Sequence, residues 1–239
     1  MTYYNRIAQL RNTLESFTKS KYKDFKVIII DDCSAENITD IGSYGFGVEI
    51  LRMTEKISHN TAPLYNIGFK HALDNNADIV IMQNAECYHY GDVITHASKI
   101  REGEYYSYHC YSLAEGQSVG AKRNDLLPLQ SGDEGWYNHA TIRPCMFHFT
   151  SAIRAVDLRK LNGFDERFSG GICYEDDYFV HQVKNLKLDR QFVHKPIVYH
   201  QWHSIEPRRS DLIQRNEKLW RTLSANKEYR AVHTITANL

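Results

Sequence analysis

Four short segments carry side chains able to hold a cation or move a proton. Asp31-Asp32-Cys33-Ser34 sets two carboxylates ahead of a hydroxyl, oxygens that either cap a following turn or accept hydrogen bonds from a nucleotide base or ribose. Asn84-Ala85-Glu86, with Asp78 before it and His89 and Asp92 after it, is an i, i+2 pair of oxygen ligands. Mg²⁺ and Mn²⁺ take such oxygens and keep other positions for water or substrate phosphate, while a solvated turn would use the same residues with no ion. Glu175-Asp176-Asp177 follows the glycine-rich stretch 163–171. Three consecutive acids repel one another unless they face water, a cation or a substrate; they suit the first turn of a solvated helix, and equally a general base that takes the proton of an attacking hydroxyl. His200-Gln201-Trp202-His203 spaces two imidazoles at i, i+3, with His194 upstream, an arrangement open to metal ligation or to a structural role. Taken alone, His194, His200 and His203 would suggest a zinc-dependent hydrolase.

These segments need elements to position them. In residues 6–17, Ile7, Leu10, Leu14 and Phe17 recur at spacings of three and four, one face of a helix. Residues 25–30 are a β-branched run ending in Asp31-Asp32, the pattern of a parallel strand covered on both faces. A second strand at 48–52, a helix at 62–75 and a third strand at 78–82 follow. This order predicts an α/β fold, a Rossmann-like and mostly parallel sheet flanked by helices. Segments 31–34 and 84–86 would then converge on one crevice at the carboxyl ends of strands. Further on, the patterning predicts a helix at 91–100, a tyrosine-rich strand at 105–111, a polar loop or lid at 116–139 and a strand at 146–150. A short helix at 156–161, a helix at 174–184, a strand at 192–200 and an amphipathic helix at 211–224 complete the pattern. With neither linker nor repeat, residues 1–239 are expected to form one domain, ending in a helical tail (206–239). The helix follows Thr2-Tyr3-Tyr4-Asn5 almost at once, so the first strand of the sheet is expected to be cut short.

Composition excludes several classes. At 239 residues with 42% apolar and 24% charged residues, 13 Gly and 5 Pro, the chain is neither disordered nor collagenous. Lys+Arg and Asp+Glu both total 29, a net charge of zero, which gives no field to attract nucleic acid. The longest apolar runs, 27–30 and 79–82, fall far short of the ~20 residues of a membrane span, and the N-terminus lacks a basic-then-apolar signal; a cytoplasmic chain is expected. Cys33, Cys87, Cys110, Cys145 and Cys173 include no C-x-x-C pair and read as reduced thiols. Glycine-rich dinucleotide and P-loop motifs are missing from the sequence.

Taken in order, the segments resemble an inverting glycosyltransferase of the GT-A fold, of the family 2 type. Tyr4-Asn5-Arg6 and its helix resemble the family's start, and residues 27–34 its strand followed by Asp-Asp-x-Ser. Residues 60–72 are similar to its Ala-Arg-Asn-x-Gly helix, with Asn66 and Gly68 in place and Tyr65 where arginine is usual. Asn84-Ala85-Glu86 takes the Asp-x-Asp position, and residues 163–177 resemble Gly-Phe-Asp-Glu followed by Glu-Asp. The resemblance spans about residues 3–203 and implies a nucleotide-binding half (1–100) and an acceptor-binding and catalytic half (101–205). It implies a nucleoside-diphosphate sugar donor, UDP-linked, a glycan or other hydroxyl acceptor, and Mn²⁺ or Mg²⁺ on the diphosphate. Asp31 and Asp32 would contact the base, with Asn66 and Asn84 also on the nucleotide. Glu86 would bind the metal with His203 or His200, and Asp176 would be the catalytic base. Trp136, Gly170, Gly171 and Glu175 are the expected acceptor contacts, Trp136 and Tyr137 as aromatic faces for a sugar. A lipid-linked acceptor would imply peripheral membrane contact. The alternative is a module of the same fold that binds a nucleotide sugar without turnover.

Overall fold

The computed structural model describes residues 1–117, 135–204, 209–225 and 227–232. β1 (Thr2–Tyr3), β2 (Lys26–Asp31) and β3 (Gly47–Arg52) pair in parallel in the order β1-β2-β3. α1 (Ile7–Phe17) connects β1 to β2 and α2 (Ala62–Asp74) leads from β3 to β4 (Ile79–Gln83). β1 is two residues long. Its Thr2 also bridges Asn84 in parallel, tying this sheet to a second one of order β4-β8-β6-β9-β5, with β7 on β6.

That second sheet is built from β4, β5 (Cys87–Tyr90), β6 (Glu104–Ser112), β7 (Trp136–Asn138), β8 (Thr150–Arg154) and β9 (Asp189–His200). Only β6 and β9 run parallel; the other pairs are antiparallel. The mostly parallel character expected of the sheet holds for β1-β2-β3 and for β6-β9. β5 was not foreseen because four residues directly after a turn carry too little periodicity. The strand expected at 146–150 begins only at Thr150. Of the loop expected at 116–139, residues 118–134 lie outside the described residues. The remaining helices are α3 (Val93–Ala97), α4 (Ala155–Leu161), α5 (Glu175–Asn185) and α6 (Ser210–Leu223), with a 3₁₀ turn at Glu166–Gly170.

The core that holds α2 against α5 is aromatic: Phe164 stacks on Phe69 (centroids 6.0 Å apart) and on Phe179 (4.5 Å). Beside it, Asn66 is buried, and its amide nitrogen donates to the Phe164 carbonyl and to Glu166 Oε1 while its Oδ1 accepts the Phe164 N–H, each at 2.8 Å. Asn66 is thereby a clamp between α2 and the loop before the acidic helix. This corrects its expected place on the nucleotide: every hydrogen bond its amide makes is directed inward. Asn66→Ala is expected to cost about 2–3 kcal/mol in denaturant unfolding, because it leaves a buried N–H and carbonyl unpaired.

Gly170 and Gly171 likewise serve packing. A Cβ on Gly170 would lie 2.7 Å from Arg215 Nη2, and one on Gly171 would lie 2.6 Å from the Leu212 carbonyl. Both glycines admit the close approach of α6, and neither of these expected acceptor contacts lines the cleft described below.

Candidate active site

The carboxyl ends of β2 and β4 and the start of α5 surround a cleft of about 380 Å³. Asp32, Asn84, Glu86, Glu175 and Asp176 all line it, so the acidic segments from three distant parts of the sequence meet. Asp31 does not: it is fully buried, its Oδ1 accepts the Ser34 N–H at 3.0 Å and its Oδ2 lies 3.3 Å from Arg52 Nη1. It caps the turn that presents Asp32, so of the two carboxylates only Asp32 faces the cleft. Burial raises the Asp32 carboxyl, Lys56 opposes and Asp31 adds to the rise. Its Oδ1 is buried with no partner, an acceptor available to a ligand donor. Lys56 Nζ sits 3.5 Å above the Tyr4 ring, and Tyr4 also lines the cleft.

The metal-ligating candidates assemble through strand pairing. β5 runs antiparallel to β9 with Cys87 opposite His200, and the Gln201 N–H donates to the Glu86 carbonyl at 3.0 Å. Glu86 is thereby fixed beside the end of β9. Its Oε1 lies 3.2 Å from His200 Nε2 and 3.6 Å from His203 Nε2, and one ligand atom from each of the three residues falls within 4.8 Å of the others. Nδ1 of His203 is 2.8 Å from the Ser204 carbonyl, a contact that directs Nε2 inward as a lone-pair donor. One carboxylate and two imidazoles suit a divalent first-row metal and leave positions for diphosphate oxygens. Arg6 Nη1 also donates to Glu86 Oε1, at 3.0 Å. Burial raises the Glu86 carboxyl, but the His200 hydrogen bond and the Arg6, His200 and His203 charges outweigh it and bring it down to about 2. Behind this group, the Gln201 amide nitrogen donates to the Gln9 carbonyl and Thr13 Oγ1, and Asn12 donates to Gln201 Oε1, clasping α1 to the site.

His194 does not join it. Its ring lies 4.5 Å from that of His109, so the three histidines of a zinc hydrolase are not assembled. Trp136, expected on an acceptor sugar, does not line this cleft; it packs edge-on to Tyr111 at 5.1 Å and against His139 at 4.7 Å.

At the other wall, Cys173 and Tyr174 take φ of +65° and +69°, a left-handed pair that non-glycine residues adopt only under constraint. The turn aims the first residues of α5 into the cleft. Asp176 Oδ1 meets His148 Nδ1 in a short hydrogen bond. Burial works to discharge the His148 imidazole, but the Asp176 charge and hydrogen bond, with Glu175 and Glu86 behind them, raise its pKa. Burial and then the Asp176 charge push Glu175 up to about 8, and its Oε2 has no partner. Glu175 therefore stays protonated in the folded protein where the unfolded chain, with a carboxyl near 4.5, has already ionised. Stability from this group is present below pH 4.5 and is lost as pH rises toward 8. Glu175→Gln is expected to gain roughly 2 kcal/mol over the parent at pH 8.5 and nothing at pH 4, read from thermal melts at both.

Sequence patterning missed His148, Arg6 and Arg143, the last also lining the cleft. A lone histidine or arginine carries no spacing signal, and Arg6 was read only as the start of α1. Tyr65, which stands where a basic residue was expected, donates its hydroxyl to Asn84 Oδ1 at 2.9 Å.

Solved structures share this architecture. S. aureus TarS residues 1–349 in complex with UDP superposes with a TM-score of 0.61 at 14% identity, covering 84% of this chain and 59% of that one. A Pyrobaculum calidifontis mannosyltransferase in complex with GDP-Man and Mn²⁺ gives 0.57 at 12%, covering 87% and 56%. GalNAc-T7 with UDP, GalNAc and Mn²⁺ gives 0.60 at 14%, covering 85% and 42%. The fold is that of a GT-A glycosyltransferase. The model of glycosyl transferase family 2 matches residues 1–154, and the chain belongs to that family. It is also 38% identical over 65 residues to an uncharacterized glycosyltransferase of Haemophilus influenzae, a stretch covering 27% of this chain and 21% of that protein. The chain thus spans less than two thirds of each of these relatives. No helix among the described residues is long and apolar enough to cross a membrane.

Proposed function

We propose that this glycosyltransferase moves a sugar from a UDP-sugar to an acceptor hydroxyl with inversion at the anomeric carbon. The observation that carries the reading is the meeting of Asp32, Glu86 and Asp176 in one cleft. Asp32 accepts a hydrogen bond from the base through the oxygen that has no protein partner. Glu86, His200 and His203 would hold Mn²⁺ or Mg²⁺, which supplies positive charge to a leaving diphosphate. Arg143 and Arg6, both on the cleft, add cationic donors near the same oxygens.

Asp176 takes the acceptor proton as the acceptor oxygen bonds to the anomeric carbon. The bond from that carbon to the diphosphate oxygen breaks on the opposite face, and its electron pair leaves with UDP. His148 holds the Asp176 carboxylate in place through their hydrogen bond, and that carboxylate in turn raises the imidazole's pKa. Glu175, protonated by its surroundings, limits the negative charge beside Asp176 and can donate to an acceptor oxygen.

The test is UDP release from a panel of UDP-sugars with Mn²⁺, with and without acceptor sugars. Release that is lost in chelator and restored by Mn²⁺ is the expected result. Tight UDP binding with no release from any donor would instead establish a non-catalytic module.

A further inference from the structure

The turn after β7 carries Arg143 to the cleft. His139 and Arg143 close it as an antiparallel bridge: the His139 N–H donates to the Arg143 carbonyl at 3.0 Å, and the Arg143 N–H to the His139 carbonyl at 3.2 Å. Residues 140–142 are enclosed, and the amide of each donates to an imidazole nitrogen. The Ala140 N–H reaches His109 Nε2 at 3.2 Å, while those of Thr141 and Ile142 both reach His139 Nδ1 at 3.3 Å. Backbone donors that a tight turn leaves over need such acceptors.

These bonds fix the state of each ring. A neutral imidazole has one lone pair and one N–H, so His109 carries its proton on Nδ1 and His139 on Nε2. Burial, with His139 and His194 as like-charged neighbours, lowers His109 to about 4, which keeps its lone pair available to Ala140 at neutral pH. The same bonds commit the lone pairs that a metal ion would take from His109 and His139. The cluster they form with His194 is therefore built to hold backbone.

β6 anchors the turn. Asn138 is buried, its amide nitrogen donating to Ser107 Oγ at 2.9 Å and to the Tyr108 carbonyl at 2.8 Å, while its Oδ1 accepts the Met146 N–H at 2.9 Å. His109 is buried as well, against the rings of Trp136 and Phe192. Arg143, by contrast, is exposed. Its guanidinium carbon lies 5.5 Å from the centroid of the Tyr137 ring, which in turn lies 4.6 Å from that of His200. A long side chain at the rim of the cleft thus takes its starting point from backbone that two imidazoles hold.

We propose that His109 and His139 are positioning residues, which clip the 139–143 turn so that the Arg143 guanidinium stands where the donor diphosphate binds. This rests on the reading of Arg143 as a contact to the leaving diphosphate. Neither imidazole lines the cleft, so each acts on the donor only through the turn.

The experiment measures the affinity of UDP and of uridine, both with Mn²⁺, in folded parent and variants. Arg143→Met is expected to weaken UDP about tenfold or more and to leave uridine, which has no diphosphate, within about twofold. His109→Phe keeps an aromatic ring without the acceptor, and His139→Ala removes the other acceptor; each is expected to weaken UDP about fivefold and to spare uridine. His109→Gln and His139→Asn place an oxygen near the lost nitrogen and should return UDP affinity to within about twofold of the parent. In the Arg143→Met background, His109→Phe and His139→Ala should change UDP affinity no further, because they act through the missing guanidinium. If Arg143→Met weakens UDP while His109→Phe and His139→Ala do not, or if they weaken uridine equally, the proposal is overturned and the donor reading stands. Further weakening on top of Arg143→Met would overturn it too. Unchanged UDP affinity in Arg143→Met would remove the arginine and its clip together, and a parent chain that binds no UDP would defeat the donor reading and the proposal with it.

Discussion

Asp176→Asn is expected to lower turnover by a factor of about 10²–10⁴, the usual contribution of a general base, while UDP affinity stays within a few-fold. The amide keeps the shape of the side chain and a hydrogen bond to His148, so the wall of the cleft survives, but it has no basic oxygen to accept the proton of the acceptor. Parent and variant are compared by initial rates of UDP release at saturating donor and acceptor, with UDP titration as the binding control. Turnover within a few-fold of the parent would remove Asp176 from the role of base. Glu175, the neighbouring acid, cannot replace it at neutral pH, because burial and the Asp176 charge hold its proton to about 8.

Glu86→Gln should lower Mn²⁺ affinity by at least tenfold and donor turnover by a comparable or larger factor, since it removes the only carboxylate of the group formed with His200 and His203. Mn²⁺ binding followed by electron paramagnetic resonance, in the presence and absence of UDP, separates loss of the ion from loss of the nucleotide. The substitution also strips Arg6 and two imidazoles of their counter-charge, so a thermal melt without metal is the necessary companion measurement. Unchanged Mn²⁺ affinity in a folded variant would count against the site.

The sequence made the chemistry legible where residue type and position reinforce each other. Asp32, Glu86 and Asp176 stand at strand or helix ends flagged by apolar runs, and the helices α1, α2, α5 and α6 lie within a residue or two of their periodic patterns. What escaped depends on pairing between distant segments. Asp31 and Asp32 are adjacent and chemically alike, yet strand alternation and the Ser34 turn send one inward and one to the cleft. Asn66 fits a nucleotide contact by spacing, but only the folded loop reveals that Phe164 and Glu166 consume its hydrogen bonds. His148 acquires its meaning solely from α5, whose left-handed entry at Cys173 and Tyr174 no propensity rule would favour.

The guanidinium of Arg6 on Glu86 has a physiological corollary. Because this buried carboxylate has Arg6 and two imidazoles beside it, its charge is offset by the protein's own side chains. If the proposed site takes manganese, depletion would stop turnover without unfolding the chain, and resupply would revive existing molecules with no new synthesis.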